Sequence, residues 1–127
     1  MATKRQQRVA QELLEVLSTL IQFEVSDPRL ADVSVLDVEI DRELRYATVY
    51  VHALGGPDVR DQVMEGLHSA TGYLRRELGA RIRLQFVPEL RFKWDDTPER
   101  AEAIDRLLES LDIPAPADET EQPDELD

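Results

Sequence analysis

The spacing of the apolar residues changes several times along this chain, and the order of these changes constrains the fold more than any other feature. In residues 4–25 they recur at steps of three and four, which predicts an amphipathic helix. This helix is expected to end at Asp27-Pro28, because proline disfavours helical geometry in the residue before it. In residues 33–41 the step falls to two, which predicts a strand. The residues expected on its apolar face are Leu36, Val38 and Ile40.

A second strand and a long helix are predicted next. Residues 46–52 alternate between apolar and polar, and the short polar linker before them favours antiparallel pairing with the first strand. A turn at residues 55–58 leads into a helix that continues to Leu78. Gly72 lies inside this helix, but the apolar stripe keeps its phase across the glycine. A bend or a close approach is therefore expected there rather than a break.

The last predicted elements are a third strand and a closing helix. The strand falls within residues 83–94, with Phe92 and Trp94 in the core and regular pairing only after Pro88, which cannot donate to a ladder. Thr97 is the expected N-cap of the closing helix. Three strands with one apolar face need helices over that face. The predicted fold is therefore a two-layer α+β domain with the order α-β-β-α-β-α. The apolar residues of the closing helix are Ile104, Leu107, Leu108 and Leu111.

Charge is distributed very unevenly along the chain. The net charge is −12, but seven of the 27 acidic residues and no basic residue lie in 112–127, which leaves 20 acidic against 15 basic residues in the remainder. We therefore expect a folded domain over residues 1–111 and an acidic, disordered tail over 112–127. The average charge does not exclude nucleic-acid binding, because phosphate contact depends on a local basic patch.

Several classes of protein are disfavoured by residues or motifs that the sequence lacks. It contains no cysteine, which excludes disulfides, thiolate catalysis and Cys-based metal sites. It has no apolar run of membrane-spanning length and no apolar signal segment, so we expect a cytoplasmic protein. His52 and His68 lie on different elements without a third ligand at metal spacing, so no metal or cofactor is expected. Phosphate-binding and hydrolase motifs are absent, and the carboxylates fit strand faces and helix caps better than an acid–base pair. An enzyme is therefore not expected.

The element order resembles a type II KH domain, and the local sequence resembles the ribosome-binding factor A family. The likeness extends over residues 4–111 without a large gap. Each stretch is weak by itself, but together they stand in the right order at the right spacing. The stretches are RVA at 8–10, DPRL at 27–30, DVE at 37–39 with YATVYV at 46–51, ATGYLRREL at 70–78, VPELRF at 87–92 and IDRLL at 104–108.

The resemblance implies a type II KH-like domain with a three-stranded mixed sheet and a kinked second helix. Most KH domains clamp single-stranded nucleic acid with a GXXG loop. In the family that this chain resembles, an Ala-x-Gly kink replaces the loop, here Ala70, Thr71 and Gly72. The resemblance also implies binding to the small (30S) ribosomal subunit and its 16S rRNA, and help in late maturation, including rRNA 5′-end processing and growth in the cold. It further implies a monomer that does not bind membranes, with assembly GTPases as further partners.

Four arginines follow the kink and are the main candidates for phosphate contact. Four in nine residues exceed what capping of a helix end requires, although a solvated helix end is the alternative. The N-terminal bases and the two bases of the third strand are weaker candidates. The main candidates are Arg75, Arg76, Arg81 and Arg83, and the weaker ones are Lys4, Arg5, Arg8, Arg91 and Lys93.

Two features of the predicted sheet leave the assignment of its outer face open. In a type II KH sheet the third strand is expected beside the first, where Asp37 and Glu39 would pair with Arg91 and Lys93 without any RNA. The outward residues of the second strand could stack on bases or pack at the sheet edge. These residues are Tyr46, Tyr50 and His52.

Two functions are carried forward from the sequence. The first is a non-enzymatic ribosome maturation factor that contacts rRNA through the kink and the arginines after it. The alternative is a KH-like adaptor that binds a protein through its acidic tail at 112–127. Deletion of that tail should abolish binding by an adaptor, whereas a ribosome binder should keep its affinity or bind rRNA more tightly as self-repulsion falls.

Overall fold

The first helix and the turn after it occupy the predicted stretch. The computed structural model describes residues 2–111, so the acidic tail lies outside the described residues. Helix α1 spans Lys4–Thr19 and continues into a π-helical turn at Leu20–Glu24. Thr3 begins α1 with a capping box, in which its hydroxyl accepts from the Gln6 N–H and its own N–H donates to the Gln6 side chain. The apolar stripe of α1 is buried, as its period predicts.

Three strands form one mixed sheet in the order β1-β2-β3. Strand β1 spans Val33–Ile40, β2 spans Tyr46–Ala53 and β3 spans Glu89–Trp94. The first two pair antiparallel, and β2 pairs with β3 in parallel. The expectation that the third strand lies beside the first was therefore wrong. The chain leaves β2, passes through α2 and returns to pair with the edge of β2 that β1 does not occupy.

A β-bulge in β1 removes Leu36 from the apolar face on which the sequence places it. The pairing register shifts between Val35 and Asp37, so Leu36 is the extra residue of the strand. Its side chain is 42% exposed, whereas Val38 and Ile40 are buried as predicted. A bulge inverts the alternation locally, and for this reason a strict period of two placed Leu36 on the wrong face.

Helix α2 spans Arg60–Arg81 and follows a short 3₁₀ turn at Gly56–Val59. It is helical throughout, so the chain is not broken at Gly72, as the unbroken stripe predicts. Helix α1 packs on β1, α2 packs on β3, and the two helices contact each other. The inward residues of β2 are fully buried beneath them, whereas Phe92 and Trp94 are only half-buried at the edge of this core.

The remaining helix belongs to a second compact unit. Within the described residues, the chain divides into two units, over residues 2–95 and 96–111. The predicted boundary at 111 coincides with the end of the described residues and stays a prediction. Helix α3 spans Thr97–Ser110, and its N-cap is Asp96 rather than the expected Thr97. The apolar side chains predicted on this helix are about half exposed or more, and they are Ile104, Leu107, Leu108 and Leu111.

Gly66 of α2 provides a test of how closely the helix approaches the linker before β1. A Cβ at Gly66 would lie 3.0 Å from the Leu30 Cδ2 and 3.3 Å from the Arg29 Cβ. Leu30 is fully buried and has little room to move. We expect Gly66→Ala to lower the free energy of unfolding by about 1 kcal/mol, because an overpacking cost of about 2 kcal/mol exceeds the helix-propensity gain of about 1 kcal/mol. Urea unfolding measures this change, and a variant as stable as the wild type would contradict the close approach.

Candidate nucleic-acid interface

Ala70, the first residue of the predicted kink, lines an open groove on the surface of the first unit. The groove has a volume of about 530 Å³ and lies between α2 and the linker that follows α1. Ala70 and Tyr73 form one wall, and Glu24 and Asp27 are among the linker residues that form the other. Gly72 is exposed nearby, and a Cβ at this position would meet no heavy atom within 4 Å. The fold therefore does not require glycine at this position.

The geometry of α2 limits how a ligand can be bound at the predicted kink. Because α2 is helical on both sides of Gly72, its backbone amides belong to the helix ladder and are not exposed donors. The Thr71 hydroxyl likewise donates to the Leu67 carbonyl at 2.9 Å. Recognition at Ala70–Gly72 would rely on close approach of a ligand to a smooth helix surface, and not on free N–H groups.

Arg75 and Arg81, two of the four candidate arginines, have partners inside the protein. The Arg75 guanidinium donates to the carbonyls of Val87 and Pro88, at 2.9 and 3.2 Å. Arg81 donates to both carboxylate oxygens of Glu24, at 2.6 and 3.0 Å, and to Glu77 at 3.2 Å. The hydrogen bond from Arg81 is the main cause of a lowered pKa of the Glu24 carboxyl. Arg75 therefore holds the loop before β3, and Arg81 ties the end of α2 to the turn after α1.

Arg76 and Arg83, the other two candidates, keep their charge available. The Arg76 guanidinium lies 5.7 Å from the centre of the Tyr73 ring, a cation–π distance that leaves its N–H groups free for a ligand. Arg83 is exposed and has no hydrogen bond or ion pair with another residue of the described stretch 2–111. These two arginines, unlike Arg75 and Arg81, can bind a phosphate without breaking an existing contact.

The weaker candidates lie on two different elements. Lys4, Arg5 and Arg8 are exposed at the start of α1 and form no ion pair with any residue between 2 and 111. On β3, the Arg91 guanidinium stacks 4.0 Å from the Tyr46 ring centre and lies 3.8 Å from Glu89, and Lys93 is exposed.

Because β3 pairs with β2, the predicted ion pairs with β1 do not form. Arg91 is opposite Thr48 and Lys93 is opposite Tyr50, so neither faces Asp37 or Glu39.

The aromatic residues of β2 are used in packing at the sheet surface. The Tyr50 hydroxyl donates to Glu39 at 3.0 Å, and this bond is the main cause of a raised pKa of the phenol. The His52 ring lies 4.7 Å from that of Trp94. These contacts agree with the packing alternative for Tyr50 and His52, while Tyr46 is covered by Arg91.

Asp27 and Arg29 form a hydrogen-bond network that the sequence patterns did not predict. The Asp27 carboxylate accepts from the Arg29 backbone N–H at 2.9 Å and from its guanidinium at 2.7 Å. These bonds lower the pKa of Asp27, and Arg29 also reaches Glu65 at 3.4 Å. Both acidic residues of the groove wall, Glu24 and Asp27, are thus neutralised by arginines. The DPRL stretch was the available signal, but spacing alone did not show which partners it joins.

Metal-binding clusters and membrane-spanning helices are both absent from residues 2–111. No group of histidine, aspartate and glutamate side chains in this part of the chain has an arrangement that could hold a metal ion. No helix in the same stretch is long and apolar enough to cross a membrane.

A three-stranded mixed sheet, two covering helices and a groove beside the small residues of α2 define a KH-like α+β domain. The chain matches the family model for ribosome-binding factor A over residues 5–108. It is also 44% identical over 119 residues to a ribosome-binding factor A of Moorella thermoacetica, covering 92% of this chain and 98% of that protein. The chain therefore belongs to the ribosome-binding factor A family.

Solved structures of the same family share the fold. The crystal structure of ribosome-binding factor A from Thermus thermophilus matches with a TM-score of 0.63 and 26% identity, over 70% of this chain and 93% of that one. A homology model of the T. thermophilus protein, fitted into a cryo-EM map of a 30S complex, matches with a TM-score of 0.59 and 28% identity. That match covers 69% of this chain and 93% of the fitted model.

Proposed function

We propose that this protein binds the 30S ribosomal subunit through 16S rRNA and assists late maturation of the subunit without catalysing a reaction. The observation that carries the proposal is that Arg76 and Arg83 follow an open helix surface with no ion pair of their own within residues 2–111. A relative fitted into a map of a 30S complex supports the choice of partner. Processing of the rRNA 5′ end would follow from a fold of the rRNA that the bound protein favours.

The groove beside Ala70 is open, and the pairing of its acidic wall residues suits the approach of an rRNA backbone. Its two wall carboxylates, Glu24 and Asp27, already accept from Arg81 and Arg29, which reduces their repulsion of phosphate. The open space over Gly72 allows a sugar–phosphate chain to approach the helix closely. Arg76 and Arg83 then supply bidentate donors to phosphate oxygens.

The proposal extends to the compartment, the oligomeric state and the further contacts of the protein. It acts in the cytoplasm as a monomer, and assembly GTPases are candidates for the factors that release it. Lys4, Arg5, Arg8 and Lys93 are additional candidate phosphate contacts, since none of them has an ion pair within residues 2–111.

The proposal is tested by sedimenting the purified full chain with small and with large ribosomal subunits at low and moderate salt. We expect co-sedimentation with small subunits only, weakening as salt rises because counterions compete for the phosphates. In parallel, the purified protein should leave a precursor of 16S rRNA uncut. Absence of binding to small subunits at low salt would overturn the proposal.

A further inference from the structure

Three separate segments meet at the end of the sheet where β2 begins, and they enclose a small cavity. We name this cavity, of about 150 Å³, the hairpin pocket. Arg5 comes from the start of α1, the next three residues come from the β1–β2 hairpin, and the last three come from the loop before β3. The residues lining it are Arg5, Arg42, Glu43, Leu44, Leu84, Gln85 and Phe86.

The hairpin and the start of α1 are held in place by hydrogen bonds. The Asp41 carboxylate accepts from the backbone N–H groups of Arg45 and Tyr46 at 2.7 and 2.9 Å, and these bonds lower its pKa. Gln6 of α1 donates from its side chain to the Ile40 carbonyl at 3.0 Å. The two segments that supply Arg5 and Arg42 are therefore tied to each other.

The loop that carries Phe86 is also held on its far side. The Arg75 guanidinium donates to the carbonyls of Val87 and Pro88, and the Glu89 N–H donates to the Arg45 carbonyl at 2.8 Å. The pocket is thus formed before any ligand arrives, which lowers the cost of ordering on binding.

Phe86 is the feature that packing of the fold leaves unexplained. Its side chain is 70% exposed, although Leu44 and Leu84 beside it are half-buried against the core. An aromatic ring that stays in water offers a face for stacking on a flat ring system. The cavity is too small for a drug-sized ligand, which needs at least about 300 Å³, but suits a single ring system.

The charges around Phe86 point to a nucleic acid. Arg5, Arg42 and Arg45 have no ion pair with any residue from 2 to 111, so all three keep their charge for a ligand. Glu43 is the one acidic residue lining the pocket among those described residues. Exposed aromatic rings interleaved with unpaired arginines are the combination that binds single-stranded nucleic acid, through stacking and phosphate contacts.

We infer that the hairpin pocket takes one unpaired RNA nucleotide, with its base stacked on Phe86 and its phosphate bound by Arg5 and Arg42. Glu43 accepts a hydrogen bond from an exocyclic amino group, so adenine is preferred over uracil. This inference rests on the proposed function and adds to it a second RNA contact that reads a single-stranded nucleotide. The groove beside Ala70 contacts the backbone instead.

The test uses the full chain and fluorescently labelled single-stranded penta-adenylate and penta-uridylate, with affinity measured by anisotropy. Phe86→Ala is expected to weaken binding of penta-adenylate about tenfold, as loss of one stacked base does. Phe86→Leu keeps apolar area but no aromatic face, and is expected to weaken it nearly as much. Leu54→Ala is the control, because Leu54 is 78% exposed beyond the other end of β2. Its affinity should equal that of the wild type.

The variants test the base contact, the stacking and the pocket separately from the proposed function. Glu43→Gln should reduce the preference for penta-adenylate over penta-uridylate, whereas an unchanged preference would overturn the assigned base contact. Full affinity of Phe86→Leu for penta-adenylate would overturn stacking on an aromatic face as the way in which residue 86 holds the base. Wild-type sedimentation with small subunits, together with unchanged penta-adenylate binding by Phe86→Ala, would overturn the pocket and leave the proposed function standing. Loss of subunit sedimentation by the wild type would instead overturn the proposed function.

Discussion

Replacing Arg76 and Arg83 together by glutamate is expected to weaken binding to the small ribosomal subunit about a thousandfold at low salt. Each substitution removes a charge-assisted hydrogen bond to phosphate, worth about 1.5–3 kcal/mol, and adds repulsion. The salt dependence of log K should also become shallower, by about one unit for each phosphate that is no longer neutralised. Sedimentation or anisotropy across a salt series measures both quantities. The fold should be unaffected, because neither arginine has an ion pair within the described residues.

Arg60 provides a matched control for this prediction. It lies on the same helix as Arg76, about 24 Å away along the axis, and its side chain is 53% exposed beside Asp61. Arg60→Glu changes the net charge as much as Arg76→Glu does, so equal loss of binding by these two single variants would indicate a general charge effect. In contrast, Arg81→Gln should reduce stability, since it breaks the bonds to Glu24. It should weaken binding less than Arg76→Glu does, because it leaves one groove carboxylate uncompensated but removes no proposed phosphate donor.

The order of the helices and strands could be predicted from the sequence, because the spacing of apolar residues within each element is a local property of a few consecutive residues. The inward face of β2 and the stripe of α2 were confirmed for this reason. Features that depend on pairing between segments could not be predicted in this way. The bulge at Leu36 and the position of β3 beside β2 are set by how two strands meet, and the pattern within one strand does not contain that information.

The same limit applies to the candidate site, where the sequence identifies the residue types but not the contacts that they form. Sequence identified a cluster of arginines, but Arg81 finds Glu24 across 57 positions of the chain, and Arg75 finds backbone carbonyls 12 and 13 positions away. Which arginines remain available for a ligand is therefore a tertiary property. Phe86 was missed for the opposite reason, because an apolar residue near a strand is expected in the core and only its exposure marks it out.

Substituting Gly72 is expected to change stability and binding in opposite directions. Gly72→Ala should raise the free energy of unfolding by about 0.5–1 kcal/mol, since alanine is the better helix former and its Cβ meets open space. The same Cβ should hold an rRNA backbone away from α2 and weaken subunit binding about tenfold, which corresponds to about 1.4 kcal/mol. Gly72→Leu should weaken it about a hundredfold, because a longer side chain displaces more of the backbone and removes a charge-assisted hydrogen bond. Urea unfolding and sedimentation of each variant measure the two effects separately.

The opposite signs make this prediction specific, because a variant that merely unfolds would lose both properties together. Gln62→Ala is a suitable control, as Gln62 is exposed on the same helix about 15 Å from Gly72. It should raise stability by a few tenths of a kcal/mol without changing affinity. If Gly72→Ala and Gly72→Leu both bind small subunits as the wild type does, the surface over Gly72 does not contact rRNA. The glycine would then have neither a packing role nor a binding role, and Arg76 and Arg83 would have to act from a surface that excludes the predicted kink.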